Sequence, residues 1–421
     1  MSRTALRLRY RRSLMVIPVL YVAGAVVLGV LTPRIDQGDH FPLHLRVDVS
    51  TAHDILGATT TGMLAFTGLV VSSLLVVVQF AASQYSPRLV LWFRSDLLVK
   101  NAIGSFLAAS IYPVVALREL SLGSEITPDA SVAVSLALLI GASVLFLALL
   151  QRVLDRLRPR NLFALVLDGG IQASRAAYPH PLGPDPAPPA RDWESPQPRT
   201  IRLRERHGVV ASFDHNALLA TAVAADVAIE LIPGVGEYLS PDAPMFRIHG
   251  APEVDAGRLL TAILVTDERT IEQDPAFALR ILVDTAIRAL SPAVNDPTTA
   301  VHALDAIETL VRELAGRDLE ASVARGPDGR VRVVWPTPSW TGLLDLAFAE
   351  IRFYGASSVQ ITRRLRATLL ELKEATDPVR HPALDSELAQ LDAATALAHP
   401  PGSPDRELAM GADRMGLGLR R

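Results

Sequence analysis

The run "ASVAVSLALLIGASVLFLALL", Ala130 to Leu150, holds no charged side chain. It is long enough to cross the roughly 30 Å hydrocarbon core of a bilayer as one helix. Three more apolar runs precede it. "LMVIPVLYVAGAVVLGVL" (Leu14 to Leu31) just suffices for a span, and "ILGATTTGMLAFTGLVVSSLLVVVQF" (Ile55 to Phe80) exceeds what a span needs. "AIGSFLAASIYPVVAL" (Ala102 to Leu117) is short and contains Pro113. The first run follows Arg3, Arg7, Arg9, Arg11 and Arg12, as a secretory signal would. Its length and the lack of a clear small-residue cleavage site mark it instead as a retained span.

The basic residues of the short loops set an orientation. The N-terminal arginines, then Arg88, Arg94 and Lys100, then Arg152, Arg156, Arg158 and Arg160 alternate with acidic loops, Thr32 to Asp54 and Arg118 to Asp129. Every basic segment falls on one side of a four-span arrangement. Both termini are therefore expected in the cytoplasm, with a large cytoplasmic C-terminal region.

The chain has 421 residues, and its hydrophobic share of 49% is concentrated in these runs. A formal charge of -3 without a basic domain argues against nucleic acid as a partner. Cysteine is absent, which removes disulfides, thiolate metal ligands and a cysteine nucleophile. The expected partner is the lipid bilayer, with a second copy of the chain and a small ion as further candidates.

The second and third runs are rich in small and hydroxyl residues, which let membrane helices approach and hydrogen-bond across an interface. Thr60, Thr67, Ser72, Gln79, Ser105 and Ser110 are the candidates to line a narrow polar path. No ionisable side chain lies inside any of the four runs, so a passive pore is expected over a proton-coupled carrier.

Domain boundaries follow from composition. Residues 1–155 form the membrane domain, and 156–199 a basic helix that keeps its periodicity, with Gly169-Gly170 as a point where it can break, leading into a proline-rich linker. Residues 200–255 read as a small α+β or barrel-like module, 256–398 as a helical domain and 399–421 as a flexible tail. Within the module, "TIRLRERHGVVASFD" has the two-residue period of a strand, Asp214 starts a short helix, and two strands flank a Pro-Gly turn. The "PGVGEYL" rhythm suggests a swinging-arm carrier, but the chain's only lysines, Lys100 and Lys373, lie elsewhere.

"ALSPAVNDPTTAVHALD", Ala289 to Asp305, stands between two helices. Asp274-Pro275 and Asp296-Pro297 are the same device: aspartate caps, and proline takes the first helical position, where its missing N–H costs nothing. The first helix is expected to bury Phe277, Ile281, Leu282, Thr285 and Ala289, with Arg280, Asp284 and Arg288 on one face. The second buries Val301, Leu304, Ile307, Val311 and Leu314, and Ser291 to Asn295 form the joint. Further on, Leu343, Leu346, Ala347, Ile351 and Tyr354 keep helical spacing, while Arg352, Arg363, Arg364 and Arg366 read as a solvated or subunit-contacting charge run.

"QYSPRL" (Gln84 to Leu89), "RTIEQDPAFALRILVDTAIRALSPAVNDPTTA" (Arg269 to Ala300) and "LAFAEIRFYG" (Leu346 to Gly355) together resemble the domain of unknown function 2254 family of bacterial multi-spanning membrane proteins. The resemblance implies the membrane topology and no established activity. Thr298 stands where the family motif leads one to expect an aromatic residue.

Around that motif, Ser291, Asn295, Asp296, Thr298, Thr299, Arg269, Asp284 and Arg288 are the candidates to hold a ligand or only to shape the joint. Carboxylates with Asn295 suit a hard cation, and His302 with Asp305 could share a helix face, but no specific metal pattern is present. The free N–H groups at the Pro297 helix start suit an anion. No nucleophile elbow or phosphate loop occurs, so no catalytic residue and no cofactor is expected. The expected fold is four transmembrane helices followed by a cytoplasmic α+β region with a small β-rich module and a mainly helical C-terminal part. The expected role is an oligomeric, channel-like or transport-related protein of the inner membrane. The alternative is a scaffold or sensor that transports nothing.

Overall fold

The computed structural model describes residues 15–36, 47–84, 96–120, 128–156, 159–183, 198–204, 207–250, 254–319, 322–414 and 416. The basic N-terminal tail, most of the acidic loop after the first span, the stretch containing most of "QYSPRL" and most of the proline-rich linker lie outside those residues. The chain divides into two compact units, Met1–Arg158 and Pro159–Arg421.

The first unit holds four helices long and apolar enough to cross a membrane. They are α1 (Val16–Asp36), α2 (Val49–Gln84), α3 (Leu97–Leu120) and α4 (Asp129–Arg156). Helix α3 is the least apolar, at a mean hydropathy of 1.4, and also the most buried. The two facts have one cause: α1, α2 and α4 all pack against it, so protein replaces lipid around its polar positions. Close approach is built from glycine. A Cβ on Gly29 would meet Val115 Cβ at 2.7 Å, and one on Gly104 would meet Tyr21 Cδ2 at 2.7 Å. Helix α3 begins at Leu97, five residues before the expected start at Ala102, and so takes in Lys100, which is buried. The helix is thus longer than the apolar run that announces it: hydropathy loses the first turn of a helix whose polar residues are covered by neighbours.

Two polar clusters tie the bundle at opposite ends. Asp36, the last residue of α1, accepts hydrogen bonds from Ala130 N (2.7 Å), Ser131 N (3.2 Å) and Ser131 Oγ (2.6 Å). One helix thus supplies the carboxylate that caps the positive end of another. Beside it, the Tyr112 hydroxyl meets Thr32 Oγ1 at 2.7 Å and donates to the Ser131 carbonyl at 3.1 Å. At the other end, Arg152 reaches Asp96 at 3.3 Å.

The second unit opens with α5 (Pro159–Ala177). It keeps its helical periodicity through Gly169 and Gly170 without a break, and Gly170 serves packing: a Cβ there would meet Ala278 Cβ and Leu310 Cδ2, each at 2.8 Å. Strands follow as β1 (Arg199–Arg202), β2 (Gly208–Phe213), β3 (Ala228–Leu231), β4 (Tyr238–Leu239), β5 (Pro244–His249), β6 (Ile263–Thr266), β7 (Val323–Arg325) and β8 (Val331–Val334). Two short helices, α6 (His215–Ala224) and α7 (Ala256–Thr261), lie between them in sequence. Strand order is β1-β5-β3-β8-β7 in one sheet and β4-β2-β6 in the other. The module therefore does not close near residue 255. It recruits β6 and, across two helices, β7 and β8, with β8 parallel to β3 in the register Ile229↔Val333. Phe213, Ile229, Met245, Phe246 and Val333 fill its core.

The remaining helices are α8 (Pro275–Ala289), α9 (Pro297–Ala315), α10 (Trp340–Leu344), α11 (Glu350–Gly355), α12 (Val359–Ala375), α13 (His381–Ala398) and α14 (Arg406–Ala409). A π-helical turn, Asp345–Ala349, joins α10 to α11. The expected apolar stripes of α8 and α9 are buried. Tyr354 is not: the wide turn shifts the helical phase, and Phe353 and Tyr354 face out as an edge-to-face pair 5.1 Å apart.

The charge run after it is also corrected. Arg363 and Arg364 are buried, because acids on other elements come to meet them. Arg364 binds Asp305 at 2.9 Å and Glu308 at 2.8 Å, Arg352 pairs with Glu387, and Arg363 lies 3.7 Å from Asp413. The last of these contacts corrects the expected flexible tail. Residues 399–414 are placed against α12, with Ala409 fully buried and Arg414 paired with Glu371 at 2.6 Å.

Candidate functional site

The joint between α8 and α9 is held by its own backbone. Ser291 O accepts from Val294 N at 3.0 Å and Asn295 N at 2.8 Å, and Ala289 O accepts from Asp296 N at 2.8 Å. Asn295 takes φ +48°, the left-handed region that its short amide side chain tolerates better than most. Ser291 Oγ donates to the Arg288 carbonyl at 2.7 Å. Asp296 then caps α9, accepting from Thr299 N at 3.0 Å and Thr299 Oγ1 at 2.6 Å. The place an anion would take is held by that carboxylate, and Thr298 is exposed.

The charged candidates are dispersed by their pairings. Arg269 is bound to Asp274, which caps α8 through Phe277 N at 2.9 Å. Burial pushes the Asp274 carboxyl upward against the hydrogen bonds and charge of Arg269. Asp284 receives Arg280 Nε at 2.6 Å. His302 is exposed, and Asp305 is engaged by Arg364. Among the described residues no three His, Cys, Asp or Glu side chains gather in a way that could hold a metal.

The candidate pore residues also separate. Thr60, Thr67 and Ser110 donate to the carbonyl one turn earlier, at 2.9, 2.6 and 2.8 Å. Thr67, Ser105 and Ser110 are buried within the unit, whereas Ser72 and Gln79 lie on the exposed face of α2.

The second unit has a concavity of about 240 Å³ that local sequence patterns do not signal. It draws Tyr178 from the end of α5, Phe213 from β2, His215 from α6, Glu237 from the turn before β4, Gln273 from before α8 and Trp335 from after β8. Three of its rings touch: Phe213 to His215 at 4.5 Å, His215 to Trp335 at 4.5 Å and Phe213 to Trp335 at 5.5 Å between centroids. Burial lowers the His215 pKa against the pull of Asp214, so the imidazole is neutral at pH 7. Burial likewise raises Tyr178, with the Asp274 charge adding to it, so the phenol keeps its proton. The turn "PGVGE", Pro233 to Glu237, rests on the Arg269–Asp274 pair. Gly236 has φ +89°, and a Cβ there would collide with Asp274 Oδ2 and lie 2.5 Å from Arg269 Nε. Only glycine brings the backbone this close.

Four apolar helices followed by an α/β unit with small sheets and a helical end define a multi-spanning membrane protein. The chain belongs to the family described as "Predicted membrane protein (DUF2254)", which matches residues 11–371. It is 30% identical over 363 residues to an uncharacterized protein of Mycobacterium bovis, covering 80% of this chain and 67% of that one. An uncharacterized protein of Mycobacterium tuberculosis (strain H37Rv) is similar to the same extent, 30% over 363 residues with the same coverage. No solved structure matches.

Proposed function

We propose that the protein is an inner-membrane protein, with both termini cytoplasmic, that self-associates through α2 into a channel-like assembly and carries a regulatory cytoplasmic unit. The observation that carries this reading is the outward face of α2. Thr61, Gly68, Ser72 and Gln79, at spacings of seven, four and seven, are all exposed on a helix long and apolar enough to span. Hydrocarbon offers an amide such as Gln79 no hydrogen-bond partner, whereas the same face of a second copy does. Small residues among them permit that copy's backbone to come near.

The mass of the complex in lipid nanodiscs tests association, and planar-bilayer conductance tests the channel. A monomer, or an oligomer silent under varied voltage, tension and divalent concentration, removes the channel reading. Orientation is open to cysteine-accessibility scanning, since every introduced thiol would be the only one in a chain that has none.

A further inference from the structure

The aromatic concavity of the second unit has a charge character that its lining decides. Among the described residues no lysine or arginine lines it, while two carboxylates, Glu237 and Asp274, do. Asp274 is spent on Arg269 and on its own helix. Glu237 makes no side-chain hydrogen bond or ion pair among the described residues, and it stands exposed at the rim. An anion would meet uncompensated negative charge here. A cation would meet one free carboxylate and a lining that includes several aromatic rings, whose faces attract positive charge.

The lining also offers two hydrogen-bond donors that a polar atom of an occupant would meet. Tyr178 lines the concavity, and its hydroxyl makes no protein hydrogen bond among the described residues while staying open to a solvent or ligand partner. Trp335 Nε1 is likewise without a protein partner among those residues. The volume of about 240 Å³ suits an occupant of small-molecule size.

We infer that this site binds a small organic cation, an ammonium group of about choline's size bearing a polar atom for Tyr178, with Glu237 as counter-charge and Phe213, His215 and Trp335 as the ring wall. This goes beyond self-association and does not depend on it. A monomeric, non-conducting protein would still bind the cation, and a conducting one could fail to. The same ammonium chemistry is available from a free solute or from a lipid headgroup.

The test is calorimetric titration of the full chain, in a maltoside detergent that carries no choline, with choline chloride and with its uncharged isostere 3,3-dimethylbutan-1-ol. Saturable choline binding with Kd of about 0.1–1 mM is expected, with the isostere at least tenfold weaker. Glu237→Gln, an exposed and isosteric change, should weaken choline about tenfold, and Tyr178→Phe by a smaller factor, with unfolding temperatures kept as a check on folding. Repeating the titration in phosphatidylcholine nanodiscs separates the sources: competition marks a headgroup, and an unchanged isotherm marks a solute. No saturable binding up to about 20 mM, equal binding of the isostere, or an unaltered isotherm in folded Glu237→Gln overturns the inference.

Discussion

Arg280 donates through Nη1 and Nη2 to the two carboxylate oxygens of Glu350, at 2.7 and 2.8 Å. The pair joins "RTIEQDPAFALRILVDTAIRAL" to "LAFAEIRFYG", the two stretches of the second unit that carry the family resemblance. Through those hydrogen bonds the guanidinium holds the Glu350 carboxyl below the usual carboxylate range. The side chains are 25% and 44% exposed, so solvent screens the contact. A double-mutant cycle of Arg280→Ala and Glu350→Ala should give a coupling of about 0.5–1 kcal/mol in unfolding stability. Strictly additive single effects would show that the fork contributes orientation alone.

Asn295 separates backbone from side-chain roles at the joint. Its φ of +48° suits glycine and costs a β-branched residue about 1–2 kcal/mol. Asn295→Gly should leave thermal unfolding unchanged or slightly raised, while Asn295→Val lowers it. If both variants lose stability equally, the amide itself is required.

Two adjacent glycines should respond with opposite signs. A Cβ at Gly169 meets Ile271 Cγ2 at an ordinary 3.4 Å, so Gly169→Ala gains helix propensity of up to about 1 kcal/mol. At Gly170 the 2.8 Å clashes with Ala278 and Leu310 outweigh that gain, and Gly170→Ala should destabilise by about 1 kcal/mol net. Differential scanning of the two variants decides it.

His215 gives a pH dependence. Its folded pKa lies below the ordinary 6.5, so the unfolded chain takes up the proton first. The contribution to stability is complete above about pH 6.5 and declines as pH falls through the lower, folded value. His215→Phe should flatten the stability profile in that acidic window. A profile identical to that of the unaltered chain would place His215 in water.

Much of this architecture is legible one segment at a time. The apolar runs announce four spans, and Asp-Pro at 274 and 296 announces two helix starts, since both signals live within a few residues. What the sequence hides depends on contacts between distant residues. Arg363 and Arg364 look solvated until Asp413, Asp305 and Glu308 arrive, and the tail looks loose until Asp413 is seen beside Arg363. The concavity is assembled from five separate stretches between Ala177 and Pro338, too far apart in sequence for any local pattern to betray it. The outward polar face of α2 was readable as composition, though not as direction.

The wide turn at Asp345–Ala349 makes chain length here as consequential as chain identity. Each helical residue advances the rotation by about 100°. Deleting one residue from the turn would let the helix wind regularly and swing Glu350 off the bearing of Arg280, even with every side chain of the pair retained. A map of tolerated insertions and deletions should therefore show a gap at these five positions, in a segment where conservative substitutions pass.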